Sequence, residues 1–148
     1  MNEATLKYQK LSTNAYGLER GTPQSSGLDV FSPIDFKIKR RSDILVPLDI
    51  RLDIPEGWDV SVYNKSGVAT KKKLFKGAEL IDSDYYGNIH VHLFNHSNKT
   101  VKFKKGDKIA QIVMRPVWLG DPNEVDFIDP VGERGEGGFG STGDKKND

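Results

Sequence analysis

The chain has 148 residues, of which 36% are hydrophobic and 29% are charged, and this length predicts one globular domain with a single core. Its formal net charge of +1 excludes a field that holds a polyanion by overall charge, so we expect no direct binding to nucleic acid. The absence of cysteine excludes a disulfide framework and a cysteine-ligated zinc site.

The N-terminal stretch MNEATLKYQKL carries charges at Glu3 and Lys7. It contains no apolar run long enough for a secretion signal or a membrane span. We therefore expect an intracellular protein without a membrane anchor.

Hydrophobic residues alternate with polar ones in three stretches, at 48–54, 60–62 and 89–93, with the two-residue period of half-buried strands. Turn signals lie between them: PEG at 55–57, YGN at 86–88 and KGD at 105–107. No stretch shows ten residues of helical period, and only residues 107–113 favour a brief helical turn. These patterns predict an all-β fold, either a sandwich or a closed jelly-roll barrel.

The composition changes after Trp118, where Asp-Pro pairs and frequent glycines replace the alternating pattern. Such a segment cannot form a core of its own. We therefore predict a domain at 1–120 and a flexible glycine-rich arm at 121–148. The run RGEGGFGSTG at 134–143 combines glycines, an arginine, an aromatic ring and two hydroxyls, a set that suits either a phosphate-binding arm or a disordered tail.

The tip of a predicted hairpin at 77–88 carries two carboxylates, Asp82 and Asp84, beside Tyr85 and Tyr86. Carboxylates at a turn either serve as a catalytic base or simply cap and solvate the turn. The hairpin alone leaves both interpretations open.

Five motifs occur in a fixed order: GLDV (27–30), NKSGVA (64–69), LIDSDYYG (80–87), GDKIAQ (106–111) and the glycine-rich run at 134–143. In this order they resemble the trimeric dUTPase family, over residues 26–143. The resemblance implies a distorted jelly-roll β-barrel that assembles as a homotrimer. It also implies Mg²⁺-dependent hydrolysis of dUTP to dUMP and pyrophosphate, which limits uracil incorporation into DNA and supplies dUMP for thymidylate synthesis.

The third motif of the family contains the catalytic base, a role that the resemblance assigns to Asp82, which activates the water that attacks the α-phosphorus in line. Tyr85 corresponds to the tyrosine that packs under the deoxyribose and excludes a 2′-hydroxyl. The hairpin backbone at Leu80 and Ile89 corresponds to the part that reads the edge of uracil.

The other motifs are implied to hold the triphosphate. Asp29 matches the aspartate that holds Mg²⁺ through water. Each site is implied to be shared between three subunits, with the arm of one chain closing over a neighbouring site: Arg134 binds the γ-phosphate and Phe139 stacks on uracil. The remaining implied substrate contacts are Lys65, Ser66, Gly67, Gln111, Gly140, Ser141 and Thr142.

This chain departs from the family pattern at three places. The usual Pro-Arg-Ser-Gly of the second motif is NKSG at 64–67, the usual arginine of the fourth motif is Lys108, and the run Gly-x-Tyr-Gly-Arg is replaced by GWDVS at 57–61. Lysine keeps the positive charge but loses the forked guanidinium. These departures are compatible with a divergent viral member, and we expect a cytoplasmic location, in the host cell if the protein is viral.

Two further patterns have a functional and a structural interpretation. His90, His92 and His96 have a spacing that suits a transition metal, but their place on a strand favours a structural role. The lysines at 71–73 suit a nucleic-acid patch or a triphosphate-steering group, but a solvated loop fits the low net charge better.

Two other functions remain open at this point. A dCTP deaminase shares the fold and the nucleotide cradle, but the Asp82-x-x-Tyr85 spacing and the complete arm favour the hydrolase. A non-catalytic nucleotide sensor keeps the same fold, and the retained Asp82 argues against sensing as the only role.

Overall fold

The structure is a computed structural model that describes residues 4–139 and residue 143. The described part contains twelve β-strands and one short helix, α1, between β7 and β8. Their bounds are β1 Lys7–Lys10, β2 Glu19–Arg20, β3 Leu28–Phe31, β4 Phe36–Ile38, β5 Asp43–Pro47, β6 Ile50–Asp53, β7 Trp58–Tyr63, α1 Ser66–Lys72, β8 Leu74–Lys76, β9 Leu80–Ile81, β10 His90–Asn95, β11 Val101–Phe103 and β12 Lys108–Pro116.

The strands form four antiparallel sheets. The largest has the order β2-β3-β12-β7-β9, a second has the order β5-β10-β8, and two pairs join β1 to β6 and β11 to β4. The all-β prediction is confirmed. Within the described residues, however, these strands do not join into one closed hydrogen-bonded barrel.

The alternating stretches of the sequence form the core. Every second residue from Leu48 to Ile54 is buried, and so are Val60 with Val62, and Ile89 with Val91 and Leu93. Two of the turn signals also hold the conformation that requires glycine, because Gly57 and Gly106 both have a positive φ. The alternation therefore predicted correctly which face of each strand points inward.

The predicted helical turn at 107–113 is wrong, because most of that stretch belongs to strand β12. A register shift between Lys108 and Ala110 buries Ile109 and Ala110 next to each other, and Ile112 is buried as well. A β-bulge of this kind breaks the two-residue period and imitates helical spacing.

Residues 117–139 contain neither helix nor strand, and side chains 117–136 are all exposed. Several of them are apolar, including Trp118 at 73% exposure and Phe127 at 76%. Within the described residues, no helix has the length and the apolar composition that crossing a membrane requires.

Candidate active site

One row of residues crosses the largest sheet and carries much of the predicted phosphate site. Gln111 on β12 lies opposite Asp29 on β3 and opposite Tyr63 at the end of β7. Lys65 and Ser66 follow Tyr63 after one intervening residue, Asn64. The antiparallel pairing thus gathers residues of the first, second and fourth motifs at one end of this sheet.

Asp29 is buried and holds two lysines. Its Oδ1 lies 2.8 Å from Lys65 Nζ and its Oδ2 lies 2.9 Å from Lys108 Nζ. Burial raises the pKa of Asp29, but hydrogen bonds and Coulombic attraction from the two lysines outweigh it and hold the pKa below its ordinary value. The same carboxylate raises the pKa of Lys108. The cluster carries a net charge of +1 and suits an anion such as a phosphate group.

The second-motif residues that are predicted to contact the triphosphate line a pocket of about 660 Å³. Lys65, Ser66 and Gly67 form part of its wall, together with Lys108. Gln111 is fixed beside them, because its Nε2 donates to the carbonyl oxygen of Asn64 at 2.9 Å. A side chain at Gly27 would overlap the Gln111 amide, so this glycine makes room for the glutamine.

Asp82 lies at the other end of β7. It follows Ile81, the partner of Val60, and its exposed side chain lines a second pocket of about 290 Å³. The backbone N–H of Tyr85 donates to the carbonyl oxygen of Asp82 at 3.1 Å, which closes the turn of the third motif. Tyr85 lines the same pocket and its hydroxyl donates to the carbonyl oxygen of Asn88 at 3.0 Å. The predicted base and the predicted sugar-packing tyrosine therefore meet in one pocket.

The register of β9 leaves the backbone of Leu80 free to bind a ligand. Val62 lies opposite Glu79 and donates to its carbonyl oxygen, which makes this a hydrogen-bonded pair. The next pair, Ser61 with Leu80, is then a non-hydrogen-bonded pair, and both polar groups of Leu80 point away from β7. Because β9 is an edge strand, no further strand pairs with the N–H and C=O of Leu80, and these two groups face the second pocket.

His90 presents its backbone to the same pocket. Leu48 donates to the carbonyl oxygen of Ile89, and the N–H of Ile89 donates to Ile50, so both polar groups of Ile89 are paired inside the chain. By the alternation of an antiparallel ladder, the N–H and C=O of His90 point to the side opposite β5. Strand β8 ends before reaching them. The pocket therefore offers donors and acceptors from Leu80 and His90, while Ile89 contributes its side chain.

The two halves of the predicted site are separate in a single chain. The pocket with Lys65 and Ser66 shares no lining residue with the pocket that holds Asp82. Strand β7 lies between them, and at about 3.3 Å per residue its stretch from Asp59 to Tyr63 spans roughly 13 Å. One chain thus has the predicted phosphate contacts at one end of β7 and the predicted nucleobase contacts at the other.

Arg115 occupies the region where the sequence lacks the arginine of the family's Gly-x-Tyr-Gly-Arg run. Its guanidinium donates to Ser61 Oγ at 2.8 Å and to the hydroxyl of Tyr63 at 3.0 Å, and it lies 3.5 Å from the buried Asp59. A guanidinium from β12 therefore reaches Ser61, the residue at the position of the family's arginine.

The histidines have structural partners. His92 Nε2 lies 2.9 Å from Asp43 Oδ2, and its Nδ1 accepts a hydrogen bond from the backbone of Ala78. His90 Nδ1 lies 2.9 Å from the carbonyl oxygen of Asn88. The described residues contain no group of three or more histidine, aspartate or glutamate side chains placed to hold a metal ion.

The arm residues lie away from both pockets in this chain. Arg134 and Phe139 are exposed and line neither pocket. Gly140, Ser141 and Thr142 lie outside the described residues. Two residues that the motifs did not assign to the site, Lys108 and His90, are placed in it by the structure.

Comparison with known families gives a match to the dUTPase family model over residues 13–143. The deoxyuridine 5′-triphosphate nucleotidohydrolase of Arabidopsis thaliana is 42% identical over 137 residues, which cover 93% of this chain and 82% of that protein. The mouse protein of the same name is 40% identical, covering 95% of this chain and 86% of the relative.

Solved structures agree with these relatives. A mutant dUTPase of Staphylococcus bacteriophage 80alpha, solved with dUpNHpp, superposes with a TM-score of 0.87 at 28% identity and covers 94% of this chain and 98% of its own. A mutant dUTPase from phage phi11 of S. aureus, whose structure concerns the coordination of a structural Mg(II) ion, gives a TM-score of 0.78 at 26% identity and covers 83% of this chain and 97% of its own.

Proposed function

This chain belongs to the dUTPase family, and we propose that it hydrolyses dUTP to dUMP and pyrophosphate in sites shared between the subunits of a homotrimer. The observation that carries the proposal is the pocket in which the carboxylate of Asp82 lies beside an unpaired stretch of edge-strand backbone. Such a pocket combines a base for a water molecule with a reader for a nucleobase.

Asp82 acts as the general base. Its carboxylate takes a proton from a water molecule whose oxygen forms a bond to the α-phosphorus. The bond between the α-phosphorus and the bridging oxygen breaks in line, and pyrophosphate leaves with that oxygen. The exposed position of Asp82 allows water to reach it in the open site.

The backbone of Leu80 and His90 selects uracil. The edge of uracil presents an acceptor, a donor and an acceptor, and the two residues offer N–H and C=O groups of both kinds. Cytosine has the reversed pattern at two of these positions and would leave buried groups unpaired, which costs about 1–3 kcal/mol for each group. Tyr85 packs under the sugar, and a side chain at Gly87 would overlap its ring.

The separation of the two pockets supports a site built from more than one chain. A phosphate half from one subunit, made of Asp29, Lys65, Ser66, Lys108 and Gln111, faces the Asp82 half of another. The exposed apolar side chains beyond β12 support the same assembly, because large apolar groups at this exposure indicate a surface that a partner covers. The distorted jelly roll, the closure of the 121–148 arm over a neighbouring site and a cytoplasmic location belong to this proposal.

Mg²⁺ suits this site as an ion that arrives with the nucleotide. Magnesium keeps several waters and is often bound through substrate phosphates with one or two carboxylates. Asp29 supplies one buried carboxylate, and each of its oxygens already holds one lysine, so it accepts at most a hydrogen bond from a metal-bound water. Held near Asp29 in this way, a bound Mg²⁺ would supply charge neutralisation for the phosphates. We expect little Mg²⁺ binding without nucleotide, since the cluster around Asp29 carries a net positive charge.

The test is pyrophosphate release from dUTP, dCTP, dTTP and UTP, measured in parallel with and without Mg²⁺. We expect release from dUTP alone, stimulated by Mg²⁺. Ammonia release from dCTP would instead assign the chain to the deaminases of the same fold. Inactivity on all four nucleotides would contradict the proposal and favour nucleotide sensing.

A further inference from the structure

Seven cations form one surface that extends from the proposed triphosphate pocket, whose wall includes four of them, onto a part of the chain that the proposed reaction does not use. This basic face consists of exposed side chains from β4 and the residues directly after it, from β11 and the loop before it, and from α1. Its members are Lys37, Lys39, Arg40, Lys71, Lys72, Lys99 and Lys102.

The strand pairing explains why these charges lie together. Val101 on β11 pairs with Ile38 on β4, and both are buried. The alternating side chains therefore point outward, and Lys102 lies directly opposite Lys37. Beneath them, Phe36 and Phe103 stack with ring centroids 4.7 Å apart, so the ribbon that carries the lysines is well supported.

The charges of this face are not balanced. None of its seven cations forms an ion pair with a carboxylate among the described residues. Like charges directly opposite each other on two strands destabilise a sheet, as in the pair Lys37 and Lys102. The face is also continuous, because Thr100 and Lys102 line both the pocket of about 660 Å³ and a neighbouring one of about 440 Å³. Neither pocket has a described acidic side chain in its wall.

We propose that the basic face binds the phosphate backbone of a nucleic acid, without reading its sequence. Contacts to phosphate need only positive charge, and they supply most of the affinity of non-specific binding. A protein partner would need exposed apolar or aromatic anchors, but in this ribbon Phe103 is buried and Phe36 is half-buried.

The low net charge of the chain does not oppose this proposal, although it led us to expect no nucleic-acid binding. Net charge averages over the molecule, whereas a polyanion responds to the local potential. The segment 121–136 alone carries six acidic residues and one arginine, so much of the compensating negative charge lies in a different part of the sequence.

The experiment is fluorescence anisotropy with a labelled 20-base-pair DNA and a labelled 20-nucleotide single strand, over a range of salt concentrations. The test variant combines Lys37→Gln, Lys39→Gln and Arg40→Gln, three residues that line the pocket of about 440 Å³ but not the proposed triphosphate pocket. The matched control combines Lys7→Gln, Lys10→Gln and Arg51→Gln, three exposed residues of the β1–β6 pair, and removes the same total charge. The test variant removes a repulsive pair, so we expect its melting temperature to be no lower than that of the wild type.

We expect wild-type affinity for DNA to fall linearly on a log–log salt plot. The test variant should bind at least about tenfold more weakly, with a slope reduced by about 2.7, the value for three lost phosphate contacts at about 0.9 each. The control should keep the wild-type slope, and all three proteins should hydrolyse dUTP at equal rates near 0.15 M salt.

Several results would overturn the proposal. The proposal is wrong if the wild-type protein does not bind DNA at low salt. It is also wrong if the control variant loses as much affinity for DNA as the test variant. Displacement of DNA by saturating dUTP would place the polymer in the triphosphate pocket instead. Equal competition by polyglutamate of matched charge would indicate an acidic protein partner. The assay needs no hydrolysis, so its outcome is independent of the proposed reaction.

Discussion

Replacing Leu80 with proline tests the backbone slot directly. Proline removes the N–H of Leu80, which faces the pocket, and it takes no hydrogen bond from the β7–β9 ladder because Leu80 occupies a non-hydrogen-bonded pair on an edge strand. One oxygen of uracil then remains unpaired. The loss of binding free energy is about 1–3 kcal/mol, which raises the dissociation constant for the nucleotide roughly 5- to 150-fold.

The control for this prediction is Leu80→Ala, which removes the exposed side chain but keeps the N–H. Binding of a non-hydrolysable dUTP analogue would be measured by calorimetry for both variants, with thermal unfolding to establish that each is folded. We expect the alanine variant to bind within about threefold of wild type, since an exposed side chain contributes little. If the proline variant binds as tightly as the alanine variant, the backbone of Leu80 does not read the base.

Three further predictions address the base, the phosphate half and the arm. Asp82→Asn should leave the binding of the dUTP analogue largely intact and lower kcat by about 10²- to 10⁴-fold, and near-normal turnover would refute the role of Asp82. Asp29→Asn should lower the free energy of unfolding by about 2–4 kcal/mol, because it leaves two lysines without their carboxylate. The control, Asp35→Asn, changes an exposed carboxylate and should lower the free energy of unfolding far less. Equal effects of the two substitutions in urea unfolding would contradict this prediction. Because the pKa of Asp29 is depressed in the folded protein, its contribution is complete above its unfolded pKa of about 3.9 and is lost as the pH falls below that value, so wild-type stability should fall more steeply with acid than that of Asp29→Asn. Deleting the chain from Arg134 onward should preserve folding and trimer formation but abolish efficient hydrolysis, and a truncated protein that fails to assemble in light scattering would make the arm structural.

The sequence predicted the strands that bury every second residue, because burial on one face imposes a period that composition reveals. It failed at β12, where the bulge at Lys108 buries Ile109 and Ala110 in succession. Two adjacent apolar residues carry no strand period, and only the pairing of β12 with β3 and β7 fixes their conformation.

The positions of Lys108 and His90 at the two pockets depend on pairing between distant strands, and the sequence analysis missed them for that reason. The contact of Lys108 with Asp29 joins residues 79 positions apart, which meet only because β12 pairs with β3. The choice between Ile89 and His90 as the residue with a free backbone depends on the phase of the hydrogen-bond ladder with β5. A side-chain pattern does not encode that phase.

The basic face shows a different limit of prediction from the sequence. The chain's net charge of +1 is a sum, and the sequence does not show that Lys37 lies opposite Lys102. Only the β4–β11 register brings these charges onto one surface, and only the structure shows that described carboxylates leave them unpaired.

Subunit complementation tests the shared site most directly. One inactive variant, Asp82→Asn, lacks the base half, and a second, Lys65→Gln with Ser66→Ala, lacks the phosphate half. If each site joins residues from different subunits, refolding equal amounts of the two variants together should restore about one quarter of wild-type hydrolysis. In the mixture, one subunit in two has an intact Asp82 and one in two has intact Lys65 and Ser66. Because subunits combine at random, about one site in four receives both intact parts. Activity that stays at the level of the separate variants would mean that each site lies within a single chain, and would contradict the account.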